Sequence, residues 1–153
     1  MVDTEAFREF KQALDRMRDS DAEHALPHIR RAVELEALNP FYISYLGVVL
    51  ARAEQKWGEA EENCRTALKM KRDQPQLYLN LAEVYVVAGR RDDAVETLMR
   101  GLKYANRDLR LKLMLGKLVR RRSPVIPFLE RQHFLNRQLG LLRHRTMNAL
   151  GQA

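Results

Sequence analysis

Ala25, Ala60 and Ala94 stand 35 and 34 residues apart, and Leu46, Leu81 and Leu115 repeat those two intervals. A self-similarity of that length leaves few folds open. Each unit is too short to bury its own apolar face, so copies must stack into one continuous core. Within a unit, apolar residues recur at three- and four-residue steps, as in Leu77, Leu81, Val84, Tyr85 and Ala88. That is the helical period, and no segment alternates over enough residues to suggest a half-buried strand. The chain therefore reads as all-α, with helices of about 12–16 residues.

Punctuation places the helix ends. Ser20 followed by Glu23 reads as a capping box that starts a helix near Asp21. Asn39–Pro40, Gly58, Pro75 and Gly89 mark breaks. Ser123–Pro124 reads as a cap followed by a first-turn proline.

One unit contains Tyr78, Leu81-Ala82 and Tyr85, then Ala94, Leu98 and Gly101. The unit before it has Ile43, Leu46-Gly47 and Leu50, then Ala60, Cys64 and Ala67, with one extra residue assigned to its turn. A weaker first unit has Phe10, Ala13, Leu14 and Met17, then Ala25, Ile29, Ala32 and a closing Asn39–Pro40. A fourth first-helix follows with Lys112, Leu115-Gly116 and Val119. Over about residues 6–121 this resembles the tetratricopeptide repeat family, among its small bacterial-type members. The resemblance implies a right-handed superhelix of antiparallel hairpins: about three units, an extra helix and a C-terminal capping segment.

The small residues then have a packing role. Helices approach to about 8–10 Å only where contact residues are small. Gly47, Ala82 and Gly116 are expected to admit the second helix of each hairpin, and Ala60, Ala67, Ala94 and Gly101 the neighbouring hairpin. Tyr45, Tyr78, Tyr85, Leu98 and Met99 are expected to fill the larger gaps.

The repeat region is read as residues 1–122. Residues 123–153 form a second segment of the same domain, extended over Ser123–Glu130 and helical from about Arg131 to Met147. Pro124 and Pro127 push their preceding residues to extended backbone. This segment either caps the last apolar face, as solenoids require, or lies in the groove or against a partner.

The formal net charge of +7 is uneven. Residues 1–40 carry six basic against nine acidic side chains, residues 41–106 ten against nine, and residues 107–153 eleven against two. The basic excess belongs to the last third and bears on partners rather than on fold. The single cysteine excludes a disulfide within the chain and suits a reducing compartment. The first residues are charged from Asp3 onward, and the apolar-rich stretch Phe41–Ala51 is far short of the roughly 20 residues that span a bilayer. A soluble, cytoplasmic protein is expected.

Catalytic chemistry is sparse. His24 and His28 have the i, i+4 spacing of a metal pair, but Pro27 intervenes and no third ligand is near in sequence. His133 and His144 have no carboxylate at useful spacing. Cys64 stands where the repeat wants a buried apolar residue, which predicts an inert thiol. The paired carboxylates Glu61-Glu62 and Asp92-Asp93 are read as helix-start residues favoured by the dipole. No phosphate-cradling loop or nucleophile elbow is present. The chain is read as a non-enzyme with no cofactor and no metal.

What remains is binding. The resemblance implies that the first helix of each repeat lines the concave face. Mapped by spacing, that face holds Phe41, Ser44, Val48 and Arg52, then Gln76, Leu79, Asn80, Glu83 and Val87, then Arg110, Leu113, Lys117 and Arg121. Some family members hold a C-terminal carboxylate there. Asn80 and Arg110 match two of those positions, whereas Ser44, Val48 and Met114 depart from the others, which speaks against that clamp. Arg110, Lys117 and Arg121 fall on one stripe that Asp108 leaves largely unneutralised. The expected function is an adaptor or scaffold that holds a peptide or protein segment, acidic by this charge. Two other readings stay open: a secretion-type or assembly chaperone, and nucleic-acid or anionic-surface binding through the basic run from Arg110 to Arg145.

Overall fold

The structure, a computed structural model, describes residues 4–119. These form α1 (Glu5–Arg18), α2 (Ala22–Leu35), α3 (Pro40–Ala53), α4 (Trp57–Met70), α5 (Pro75–Val87), α6 (Arg91–Tyr104) and α7 (Leu109–Val119). The described residues contain no strand. The extended segment and last helix expected after residue 122, and the domain limit itself, lie outside the described residues.

Helices pair as hairpins, α1 with α2, α3 with α4 and α5 with α6. Hairpins stack in chain order, α2 on α3, α4 on α5 and α6 on α7, while α3 also packs on α5 and α5 on α7. The first helices thus form one row and the second helices another. This is the tetratricopeptide-type arrangement of about three hairpins plus an extra helix.

Helix starts follow local chemistry. Thr4 caps α1, its hydroxyl accepting from the Phe7 amide at 3.2 Å. Asn39 caps α3, its Oδ1 accepting from the Phe41 amide at 3.1 Å, and Pro40 fills the first position, where no amide proton is needed. Pro75 does the same in α5.

Several expectations are corrected. Asp21, not Ser20, caps α2, with its Oδ1 accepting from the His24 amide at 3.3 Å. Ser20 stands in left-handed backbone at φ 61°. Gln55 (φ 53°) and Gly89 (φ 75°) hold the matching position in the next two hairpins, so each three-residue turn reverses through one left-handed residue. At the first and third turns the chain closes alike. The Asp21 amide donates to the Arg16 carbonyl at 2.9 Å, and the Arg90 amide to the Tyr85 carbonyl at 2.8 Å. Gly58 is no break, because it lies one residue inside α4. The extra residue of the second unit lengthens α3, which has 14 residues against 13 in α5, rather than its turn.

Close approach rests on fewer small residues than expected. A methyl group at Gly47 would meet the Ala60 carbonyl oxygen at 2.6 Å and the Cys64 sulfur at 2.7 Å. At Gly101 it would meet the Tyr78 ring at 2.8 Å. Ala60, Ala67, Ala82 and Ala94 have no exposed surface. At Gly116, by contrast, a methyl group meets nothing within 4 Å among the described residues. Met99 fills no gap and is exposed. Leu81 is buried in the main core, and Leu115, its counterpart one unit on, is only partly buried against it.

Candidate functional site

The first-helix row carries a chain of polar contacts that crosses three helices. Asn80 in α5 donates from Nδ2 to the Ser44 hydroxyl in α3 at 2.9 Å. Its Oδ1 accepts from Gln76 Nε2 at 2.8 Å. Gln76 Oε1 in turn accepts from Arg110 Nη1 in α7 at 2.9 Å. Both Ser44 and Asn80 are fully buried, so their polar groups had to find partners or cost desolvation energy. The ladder satisfies them and fixes the register of α3, α5 and α7.

The ladder's exposed end differs from the sequence expectation. Asp108 caps α7, accepting from the amides of Arg110 at 2.8 Å and Leu111 at 3.3 Å. It also pairs with the Arg110 guanidinium at 2.8 Å. That hydrogen bond to Arg110, aided by the two amides and opposed by slight desolvation, holds the Asp108 carboxyl below its usual range. Arg110 is therefore neutralised, because the residue that starts the helix folds back onto it. Lys117, on the same stripe, has no ion pair among the described residues. Arg121 lies outside them.

The remaining predicted residues divide by depth. Val48 is buried in the core and offers no surface. Phe41 is partly buried, with the Lys71 ammonium 6.0 Å from its ring centre. Leu79 is partly buried, while Val87 and Leu113 are exposed. Arg52 and Glu83 form an ion pair between α3 and α5. Tyr45 also belongs to this face. Burial raises its hydroxyl pKa, and Glu83 and Arg110 lie within electrostatic reach of it. Its spacing marked it only as a gap-filler.

Other side chains singled out by sequence are spent on the fold. His24 Nδ1 meets Asp21 Oδ1 and His28 Nδ1 meets Glu9 Oε2, each at 2.7 Å, so the two imidazoles engage separate carboxylates. No group of three metal-ligating side chains occurs among the described residues. Cys64 is fully buried, its thiol donating to the Ser44 carbonyl at 3.4 Å, and burial pushes its pKa up to about 12. Glu61 lies beyond the first turn of α4, not at its start. It accepts from the Tyr85 hydroxyl at 2.9 Å and pairs with Arg65 at 2.7 Å and with Arg90, tying α4, α5 and α6 together. No helix among the described residues is long and apolar enough to cross a membrane.

Comparison with known proteins matches this geometry. The sequence profile described as tetratricopeptide repeat fits residues 51–118. The second TPR domain of human RPAP3, solved with the HSP70 peptide SGPTIEEVD, superposes with a TM-score of 0.60 at 15% identity, covering 76% of this chain and 97% of that one. The Arabidopsis OM64 TPR domain gives 0.60 at 14% identity, covering 76% and 96%. The Yersinia enterocolitica type III secretion chaperone SycD, solved with a peptide of the translocator YopD, gives 0.56 at 15% identity, covering 72% and 89%. No curated protein sequence matches the chain significantly.

Proposed function

We propose that this chain, a tetratricopeptide repeat protein, is a non-catalytic adaptor that takes a segment of a partner protein across the face of α3, α5 and α7. The observation that carries the reading is the accessible end of the ladder, where Gln76 and Arg110 are held together beside the exposed Leu113. An arginine has five N–H donors. Asp108 takes two from Arg110 and Gln76 one, so two remain for a partner's carboxylate or carbonyl. Leu113 follows one turn along α7 and Lys117 two turns along, giving apolar and then cationic contacts on one stripe. The matching partner is an extended or short helical segment in which acidic and apolar residues alternate.

Preorganisation supports affinity here, because side chains already held by Asp108 and Gln76 lose little further freedom on binding. The peptide partners of the human RPAP3 domain and of SycD support the general mode. Ser44 and Val48 are buried where an amide or ammonium would be needed to grip a terminal carboxylate, so an internal segment is favoured over a chain end.

The test is capture of partners from the source cell, followed by binding titrations against Arg110→Glu, Leu113→Glu and Lys117→Glu. Each should weaken binding by about tenfold, roughly 1.4 kcal/mol. Affinity should fall with salt, since exposed charges are screened beyond about 10 Å at 0.1 M. A partner that binds all three variants with wild-type affinity and salt dependence would refute the reading. Tight binding of short nucleic acid, lost in the same variants, would replace it with phosphate recognition.

A further inference from the structure

The side of α5 opposite the ladder forms the floor of a second concavity. Tyr78, Leu81 and Tyr85 lie about half a helical turn away from Gln76, Asn80 and Glu83. Together with α4 and α6 they enclose a cleft of about 350 Å³ on the outer side of the array. That volume suits a few side chains of a ligand rather than a folded surface.

The two ends of the cleft differ in chemistry. At one end the lining charges are consumed internally: Arg65 by Glu61 at 2.7 Å and Asp93 by Arg90 at 2.7 Å. At the other end Lys69, in the last turn of α4, and Arg72, in the turn just beyond it, have no ion pair among the described residues. Arg100 faces them from α6, engaged among the described residues only by Glu96 on its own helix at 2.9 Å, an exposed pair of small worth. Beside these cations the rings of Tyr78 and Tyr104 stack, with centroids 6.0 Å apart and planes 18° apart. The Tyr78 hydroxyl is spent on the Arg72 carbonyl at 2.9 Å. Tyr104 is 56% exposed.

We infer that this outer cleft is a second docking site, taking a short acidic segment of a partner protein that carries an aromatic side chain. Carboxylates of the segment neutralise Lys69 and Arg72, and its ring packs on Tyr104 and the apolar floor. The charge pattern favours a short peptide over nucleic acid. A phosphate backbone running along the cleft would leave the cationic end and meet the carboxylate of Asp93. The site is separate from the proposed ladder face, so the two surfaces would let one chain bridge two partners.

The experiment is a two-dimensional amide NMR titration of the full chain with the capped peptide Glu-Glu-Phe-Glu-Glu. Controls are Glu-Glu-Ala-Glu-Glu, Lys-Lys-Phe-Lys-Lys and an eight-nucleotide oligothymidine. The acidic aromatic probe should shift the amides of Lys69, Arg72, Thr97, Arg100 and Tyr104 saturably. The double variant Lys69→Glu/Arg72→Glu should weaken it at least about tenfold. Tyr104→Ala should weaken it severalfold, and Arg110→Glu should leave it unchanged. All four positions are exposed, and a wild-type circular dichroism spectrum verifies that each variant folds. No saturable shift at the cleft, equal response to the lysine probe, or unchanged affinity in the double variant overturns the proposal. Tighter binding of the oligonucleotide at the same amides overturns it in favour of nucleic acid. Loss of binding in Arg110→Glu alone would put the probe on the ladder face, overturning the cleft site while leaving the adaptor reading standing.

Discussion

Gly47→Ala adds one methyl group at the tightest point between α3 and α4. The new carbon would stand 2.6 Å from the Ala60 carbonyl oxygen and 2.7 Å from the Cys64 sulfur. Both are fixed. The first is helix backbone, and the second belongs to a fully buried side chain held by the Ser44 carbonyl. The helices must therefore separate by roughly 0.8 Å to restore ordinary contact, which loosens a close-packed seam. Overpacking of this kind costs about 3 kcal/mol. Alanine's better helix propensity returns about 1 kcal/mol. The net loss of about 2 kcal/mol should lower the melting temperature by about 4–8 °C in a domain of this size. Gly58→Ala is the matched control, with nothing within 4 Å of the added carbon. It should leave stability equal or raise it by up to about 1 kcal/mol. Thermal and urea denaturation followed by circular dichroism measure both. If Gly47→Ala melts at or above the wild-type temperature, the close-approach argument fails.

Ala82→Leu should cost about 1–3 kcal/mol in urea denaturation, because Ala82 has no exposed surface into which the longer side chain can turn. The Cys64 thiol, pushed up to about 12, should resist alkylation in the native state at pH 8 and react fully in denaturant; rapid native labelling would contradict its burial. Burial opposes ionisation of Glu61, but hydrogen bonds from Tyr85 and Arg90 and the charges of Arg65 and Arg90 outweigh it and leave its pKa lowered. A folded pKa below the unfolded value gives stability that is present above about pH 4.3 and lost as pH falls through the folded value. The urea midpoint should thus hold from pH 7 to about 5 and fall below about 4, and Glu61→Gln should cost about 1–2 kcal/mol at pH 7 and reduce that fall.

The 34- and 35-residue intervals sufficed to place the hairpins, because small residues recur wherever helices must approach closely. Asn39–Pro40 and Pro75 were legible for a local reason: a proline at a helix start needs no partner outside its own turn. Spacing could not say which of Ser20 and Asp21 would cap α2, since the turn's demand for a left-handed residue at Ser20 decided it. Nor could it show that Asp108 would fold back on Arg110, or that Ser44 and Asn80 would satisfy each other across 36 residues. The Asp108 pair is set by the side-chain geometry of a local capping turn, and the Ser44–Asn80 contact by how neighbouring hairpins register; a single-helix apolar pattern encodes neither. Arg110, Leu113 and Lys117 share one stripe of α7, as their helical spacing dictates. Val48 did not reach the surface, because it is packed into the main apolar core.

The three left-handed residues have a practical consequence. Ser20, Gln55 and Gly89 are all exposed, and each lies between two helices rather than within one. The backbone can be opened at any of them without severing a helical hydrogen-bond ladder. Opening it at Gln55 gives two fragments, one ending with α3 and the other beginning with α4. Those fragments still share the contacts of α3 with α4 and α5. The chain is thereby suited to use as a split protein whose halves rejoin through their own core, and a tag placed at that joint would leave both proposed docking surfaces untouched.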